Sequence, residues 1–156
     1  MILFWALLIA FATVGLCVIV HYEALRLTSL LIPRLTIPPR PKVLVVIAAV
    51  FLAHLIEVII FAATYRLMQL FPQLGEIAGH FSRSAVDYFY FSITSFTTLG
   101  IGDLFPHGAY RIVVGFESLT GFGLIGWSVS FTYLVMQEFW TQHGRRLNRA
   151  ANSRET

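Results

Sequence analysis

The chain holds a single cysteine, Cys17, so an internal disulfide framework and a thiolate metal cluster are both excluded. Charge is scarce too. Only 12% of the 156 residues are charged, against roughly 25% in an ordinary soluble domain, which excludes a water-soluble globule. No phosphate-cradling glycine loop, cofactor fingerprint or nucleophile–base pairing is present, so neither an enzyme nor a cofactor is expected. The chain shows no internal repeat. What it has in excess is apolar residues, at 57%.

Three apolar stretches approach the roughly 20 residues that a membrane helix needs: Ile2 to Val20, Val43 to Ala63, and about Ile112 to Met136. The first lacks a basic leading segment, runs past the usual length of a signal core and shows no clear cleavage site, so it reads as a retained helix. The shorter run Tyr88 to Phe96 is less than half a span and fits a re-entrant helix. Arg26, Arg34, Arg40 and Lys42 follow the first span, and Arg145, Arg146, Arg149 and Arg154 lie in the tail. Only Arg66, Arg83 and Arg111 lie between the second and third spans. Eight against three places the first loop and the C-terminus in the cytoplasm and the N-terminus outside a plasma (cell inner) membrane. The net charge of +3 then reflects orientation and calls for no nucleic acid.

Residues 31 to 42 contain Pro33, Pro38, Pro39 and Pro41 and read as a stiff basic elbow near anionic headgroups. Phe71 to Ser84, with Pro72, Gly75 and Gly79, reads as an outer loop or short cap. Trp5, Trp127 and Trp140 read as interfacial or packing residues. After Trp140 the chain turns polar and ends within sixteen residues, which leaves no room for a folded sensor domain.

The most unusual segment runs from Ser92 to Asp103. From Asp87 a three-turn helix can form, and its hydroxyl-rich end leads into Thr97-Thr98-Leu99-Gly100-Ile101-Gly102. An irregular backbone exposed to lipid leaves unpaired carbonyls at several kcal/mol each, so such a loop must be buried in protein or line a watery path. Glycine permits the left-handed geometry that points successive carbonyls one way. Rings of such carbonyls replace a cation's hydration shell, and the negative end of the short helix dipole favours the same ion. One chain supplies one strand of a ring, so closed symmetry is required.

On these residues the chain resembles the tetrameric potassium-channel pore family, bacterial two-transmembrane pore-loop channels, with an extra N-terminal helix. The family's Thr-Val-Gly-Tyr-Gly-Asp corresponds to Thr98-Leu99-Gly100-Ile101-Gly102-Asp103 here. Tyr90-Phe91-Ser92-Ile93 resembles its Trp-Trp-Ser-Val, and Pro106 matches a proline after the filter. The resemblance implies an all-α membrane protein with three transmembrane helices, a re-entrant pore helix and an extended filter, assembled as a four-fold homotetramer. It divides the chain into an extra helix (1–30), an elbow (31–42), a pore module (43–138) and a short basic cytoplasmic tail (139–156). Within the module fall an outer helix (43–68), turret (69–84), pore helix (85–97), filter (98–103) and inner helix (109–138). The implied ligands of permeant K⁺ are the carbonyls of Thr98, Leu99, Gly100 and Ile101 with the Thr98 hydroxyl; Gly102 completes the filter.

Two departures stand out. Ile101 replaces a tyrosine whose phenol bonds a pore-helix tryptophan, and Phe91 cannot make that bond either. An apolar Ile101–Phe91 contact is the expected substitute. Thr94 stands where some members carry a glutamate paired with the filter aspartate, and Tyr90 is expected to reach Asp103 instead. An Asp103 ring concentrates cations at the outer mouth; His107 beside it is a site for acid-sensitive block or a plain loop residue.

In the third span, Gly121 falls at the family's hinge position and reads either as a gating hinge or as close helix packing. Gly115, Gly123 and Gly126 read as packing. His54, Glu57 and Glu117 lie inside spans, where ionisable groups seek a partner or a cavity. They form a candidate buried network, read first as a structural hydrogen-bonded one in which His54 and Glu57 share a helix face, and otherwise as proton-sensitive or metal-binding, while His21 and Glu23 read as interfacial. The leading expectation is a passive potassium channel in a lipid bilayer. The alternatives are a weakly selective Na⁺/K⁺ channel and a non-conducting or metal-binding membrane subunit. No arginine-rich voltage-sensing helix precedes the pore.

Overall fold

A computed structural model describes the backbone of residues 1–152, and their side chains except those of 39, 40, 139 and 141–152. Of the basic tail, Arg154 lies outside the described residues, and of Arg145, Arg146 and Arg149 only the helical backbone is described. In chain order the elements are α1 (Ile2–Leu31), α2 (Pro39–Met68), β1 (Ile77–Gly79), α3 (Ala85–Phe96), β2 (Leu104–Pro106) and α4 (Tyr110–Asn152). The stretches Ile2–Arg34, Pro41–Met68 and Tyr110–Glu138 are long and apolar enough to cross a membrane. At about 1.5 Å per residue each exceeds a hydrocarbon core of about 30 Å. The twelve residues of α3 do not.

The prolines act at helix boundaries. Pro33 sits in a single 3-10 turn, Ile32–Arg34, that closes α1. Pro38 is the extended N-cap of α2 and Pro39 opens it. First-turn N–H groups have no partner inside a helix, so proline is tolerated there. The elbow expected through Lys42 thus contracts, and α2 begins at Pro39 rather than at 43.

Helix α1 buries a narrow stripe of Ala6, Ala10, Thr13, Cys17, His21, Leu25 and Thr28. The small members of this stripe allow close approach to α2 and α4. Thr13 Oγ1 meets Thr64 Oγ1 at 3.2 Å, and Cys17 Sγ lies 3.9 Å from the Glu57 carbonyl. The bulkiest buried apolar side chains lie among α2, α3 and α4, where Phe61, Tyr65, Phe91, Phe96, Tyr110 and Val113 are buried. Tyr65 stacks on Tyr110 at 5.9 Å and takes Phe91 edge-on at 5.2 Å. Yet only 22–28% of each spanning window is buried within the chain, so most of every span must be covered by something else.

Strands β1 and β2 pair antiparallel, Ile77 with Pro106, Ala78 with Phe105 and Gly79 with Leu104. The all-α expectation did not contain this neck. The His107 amide extends it to the Glu76 carbonyl at 2.8 Å, and the Ala109 amide extends it to the Leu74 carbonyl at 2.7 Å. Gly79 has φ +108°, and a Cβ there would lie 2.1 Å from the Asp103 carbonyl oxygen, so only glycine fits.

Helix α3 begins with a capping box. Ser84 Oγ accepts the Asp87 amide at 3.1 Å, while Asp87 Oδ2 accepts the Ser84 amide at 3.4 Å and the Ser82 hydroxyl at 2.5 Å. The Ser82 hydroxyl, more than any other group, holds the Asp87 carboxyl below its ordinary range. A lowered carboxyl stabilises the folded state above its unfolded pKa of about 4 and stops doing so as pH falls through the native value. Ser84→Ala should therefore lower stability by about 1 kcal/mol, read by denaturant unfolding in detergent. In the unmodified protein the start of α3 should loosen only below about pH 4, seen as faster amide exchange in residues 85–88.

Candidate functional site

The chain leaves α3 in an unusual conformation. Thr98, Gly100 and Gly102 have φ of +59°, +52° and +88°, alternating with Leu99 and Ile101, which do not. A β-branched residue rarely adopts positive φ, so Thr98 is held there by its surroundings. The Thr98 amide bonds the Ser95 carbonyl at 3.0 Å, and the Gly100 amide reaches back to the Thr94 carbonyl at 3.1 Å. These two bonds fold the segment over the C-terminal end of α3. In one chain the segment has no cover: Leu99 is 65% exposed and Ile101 58%.

The residues expected to brace it divide. Tyr90 Oη donates to Asp103 Oδ1 at 3.1 Å, linking the middle of α3 to the far end of the segment. Thr94 is turned back onto its own helix, its hydroxyl 3.0 Å from the carbonyls of both Tyr90 and Phe91. Phe91 is buried with Tyr65 edge-on against it, while Ile101 is largely exposed in one chain. His107 is exposed and meets Phe105 edge-on at 5.3 Å. Tyr90→Phe should loosen the Asp103 end of the segment, read as faster amide exchange at residues 99–103, while the melting of the helices stays unchanged.

The expected buried network of His54, Glu57 and Glu117 is corrected, because it forms two clusters. Glu117, on α4, is fully buried and accepts Tyr65 Oη from α2 and Ser92 Oγ from α3, each at 2.5 Å. Ser92 Oγ also lies 2.8 Å from the Val58 carbonyl. One carboxyl group thus ties three helices together directly behind α3. Ser118 adds a bond from its hydroxyl to the Ser95 carbonyl at 2.9 Å. Gly121 stands at the same crossing: a Cβ there would lie 2.0 Å from the Phe96 carbonyl oxygen. Its observed role is close approach. Gly115, Gly123 and Gly126 have open space at that position, so the packing expected of them is not made within the chain.

The second cluster includes His21, which sequence reasoning had set at the interface. His21 and Glu57 are fully buried. Glu57 Oε1 faces His21 Nδ1 at 2.8 Å, and Oε2 faces His54 Nδ1 at 2.8 Å. Ser128 Oγ, on α4, lies 3.3 Å from His21 Nε2 and 3.0 Å from His54 Nε2. The two imidazoles stack at 5.2 Å, with Trp127 against His21 and Phe96 against His54. Every buried side-chain polar atom among the described residues has a neighbour within hydrogen-bond distance.

Comparison with curated proteins and with solved structures gave no match. A protein-family model described as ion channel matches residues 53–138, more than half of the chain, and so covers most of α2, all of α3 and α4 as far as Glu138. With two apolar helices flanking a short helix and its left-handed glycines inside the matched region, the chain belongs to the two-transmembrane, K⁺-channel-like ion-channel family.

Proposed function

We propose that this protein is a passive potassium channel that works as a homotetramer in the plasma membrane. The observation that carries this reading is the alternation of left-handed backbone at Thr98, Gly100 and Gly102 at the C-terminal end of α3. Such alternation turns successive carbonyls toward one side, where four copies form cation-coordinating rings. The K⁺ ligands are the carbonyls of Thr98, Leu99, Gly100 and Ile101 and the Thr98 hydroxyl. Helix α3 is the re-entrant pore helix, entering from the outside with its negative dipole end toward the ion. The Asp103 ring lies at the outer mouth, and the first loop and C-terminus lie in the cytoplasm.

Exposed apolar side chains support assembly. Leu119, Phe122 and Val129 on α4 are 69%, 73% and 64% exposed in one chain and recur at helical spacing. They line the pore or meet neighbouring subunits. A second reading, a weakly selective Na⁺/K⁺ channel, rests on Ile101, which lacks a phenol and is 58% exposed in one chain.

Purified full-length protein in planar bilayers tests both. With opposed K⁺ and Na⁺ solutions, a reversal potential near the K⁺ equilibrium value is expected. A value near zero would favour the weakly selective reading, and absence of single-channel current would remove both.

A further inference from the structure

The four contacts of the His21–Glu57–His54–Ser128 ring each need one proton. A carboxylate only accepts, so both Nδ1 atoms donate to Glu57, and each neutral imidazole then presents a bare Nε2 lone pair. Both lone pairs face one hydroxyl, Ser128 Oγ, at 3.3 and 3.0 Å. That hydroxyl has one proton to give. With both imidazoles neutral the ring brings three protons to four contacts, and the lone pair left at its centre is completed by a further proton or by a metal ion.

We propose that His21 and His54 bind a divalent transition-metal ion of the zinc type through their Nε2 atoms, beside Ser128, with Glu57 holding both rings in the required tautomer. A carboxylate accepting the far N–H of a ligating histidine is the usual outer partner in such sites. Here one carboxylate serves two histidines. Imidazole nitrogen selects zinc, copper, nickel or cobalt over magnesium and calcium. One imidazole nitrogen from each of His21 and His54 and a carboxylate oxygen of Glu57 lie within 4.8 Å of one another, so the three side chains are already gathered at one point. The hydroxyl lies about 1 Å beyond the 2.0–2.1 Å of a zinc–nitrogen bond, so small rotations of the rings bring both lone pairs onto one ion. The negative charge of Glu57 offsets part of the ion's charge in a setting where unpaired charge is expensive.

A groove of about 430 Å³ between α2 and α4 reaches His54 and Ser128 and is otherwise lined mainly by apolar side chains, among them Ile47, Phe51, Ile125 and Val129. Because His21 comes from α1, His54 from α2 and Ser128 from α4, the ion would fasten the first helix to the two others. This role is separate from conduction and stands or falls without it.

The test uses full-length protein in detergent, stripped with chelator and titrated with Zn²⁺ or Co²⁺. One ion per chain is expected, together with a rise in melting temperature and a Co²⁺ visible spectrum of low-symmetry nitrogen and oxygen ligation. Glu57→Gln should weaken binding about 10–100-fold. His54→Ala should abolish stoichiometric binding, while His107→Ala, on an exposed loop, should keep it. Should the ring variants fail to fold, X-ray absorption of the unaltered protein decides, with two imidazole shells at about 2 Å expected. Substoichiometric metal, a spectrum without imidazole, undiminished binding in His54→Ala, or stabilisation by acid but by no metal would each overturn the proposal.

Discussion

Gly100→Ala should abolish the proposed ion current while the protein still folds. Gly100 has φ +52°, and nothing lies within 4 Å of where its Cβ would be, so the substitution meets no obstacle in the chain. The penalty is conformational. Holding an alanine left-handed costs about 1–2 kcal/mol, and in the proposed tetramer four copies would raise it to about 4–8 kcal/mol. The peptide relaxes by turning, which moves one carbonyl in each chain off the axis and breaks the amide bond to the Thr94 carbonyl. Bilayer recording, with circular dichroism and melting as controls, separates loss of current from loss of fold. Undiminished current would show that ions do not pass along these carbonyls.

Gly121→Ala should act oppositely, damaging the fold first. The new Cβ would lie 2.0 Å from the Phe96 carbonyl oxygen, 2.8 Å from its carbon and 3.0 Å from the ring. Two of these are backbone atoms at the end of α3 and cannot swing aside, so α4 must back away. Overpacking of this kind costs about 1–3 kcal/mol or more. Separation here also pulls on the Ser118–Ser95 bond and disturbs Phe96, two residues before Thr98. Alanine at Gly115, Gly123 or Gly126 meets nothing within 4 Å and should leave melting within about 1 kcal/mol of the parent. A melting temperature of Gly121→Ala equal to that of Gly126→Ala would contradict the crossing described above.

The three apolar helices were legible because burial in lipid demands length and greasiness, both of which are local properties of a sequence. The left-handed positions at Gly100 and Gly102 were legible from residue type alone. Thr98 was not, since its geometry comes from the Ser95 carbonyl and the turn around it. His21 was misread for a related reason. It sits near the end of an apolar stretch, and its partner Glu57 is 36 positions away on another helix, with a register set by Ala6, Ala10 and Cys17. Glu117 was recognised as buried, but its partners Tyr65 and Ser92 lie 52 and 25 positions away. Pro39 and Pro41 looked like breakers because the rule against proline applies to helix interiors and lapses in a first turn. The three-residue strands are too short to show an alternating pattern at all.

The β1–β2 neck has a mechanical consequence. Backbone bonds clasp residues 104–109 to residues 74–79, so the Asp103 end of the glycine segment is anchored to the same place where the lead into α3 begins. Tension from any movement of α4 would therefore be absorbed at Leu104–Ala109 before it reached Asp103. At the other end no such clasp intervenes, and α4 touches Ser95 and Phe96 directly through Ser118 and Gly121. Displacement of α4 is transmitted to the glycine segment from the Phe96 end, and the Asp103 end behaves as a fixed support.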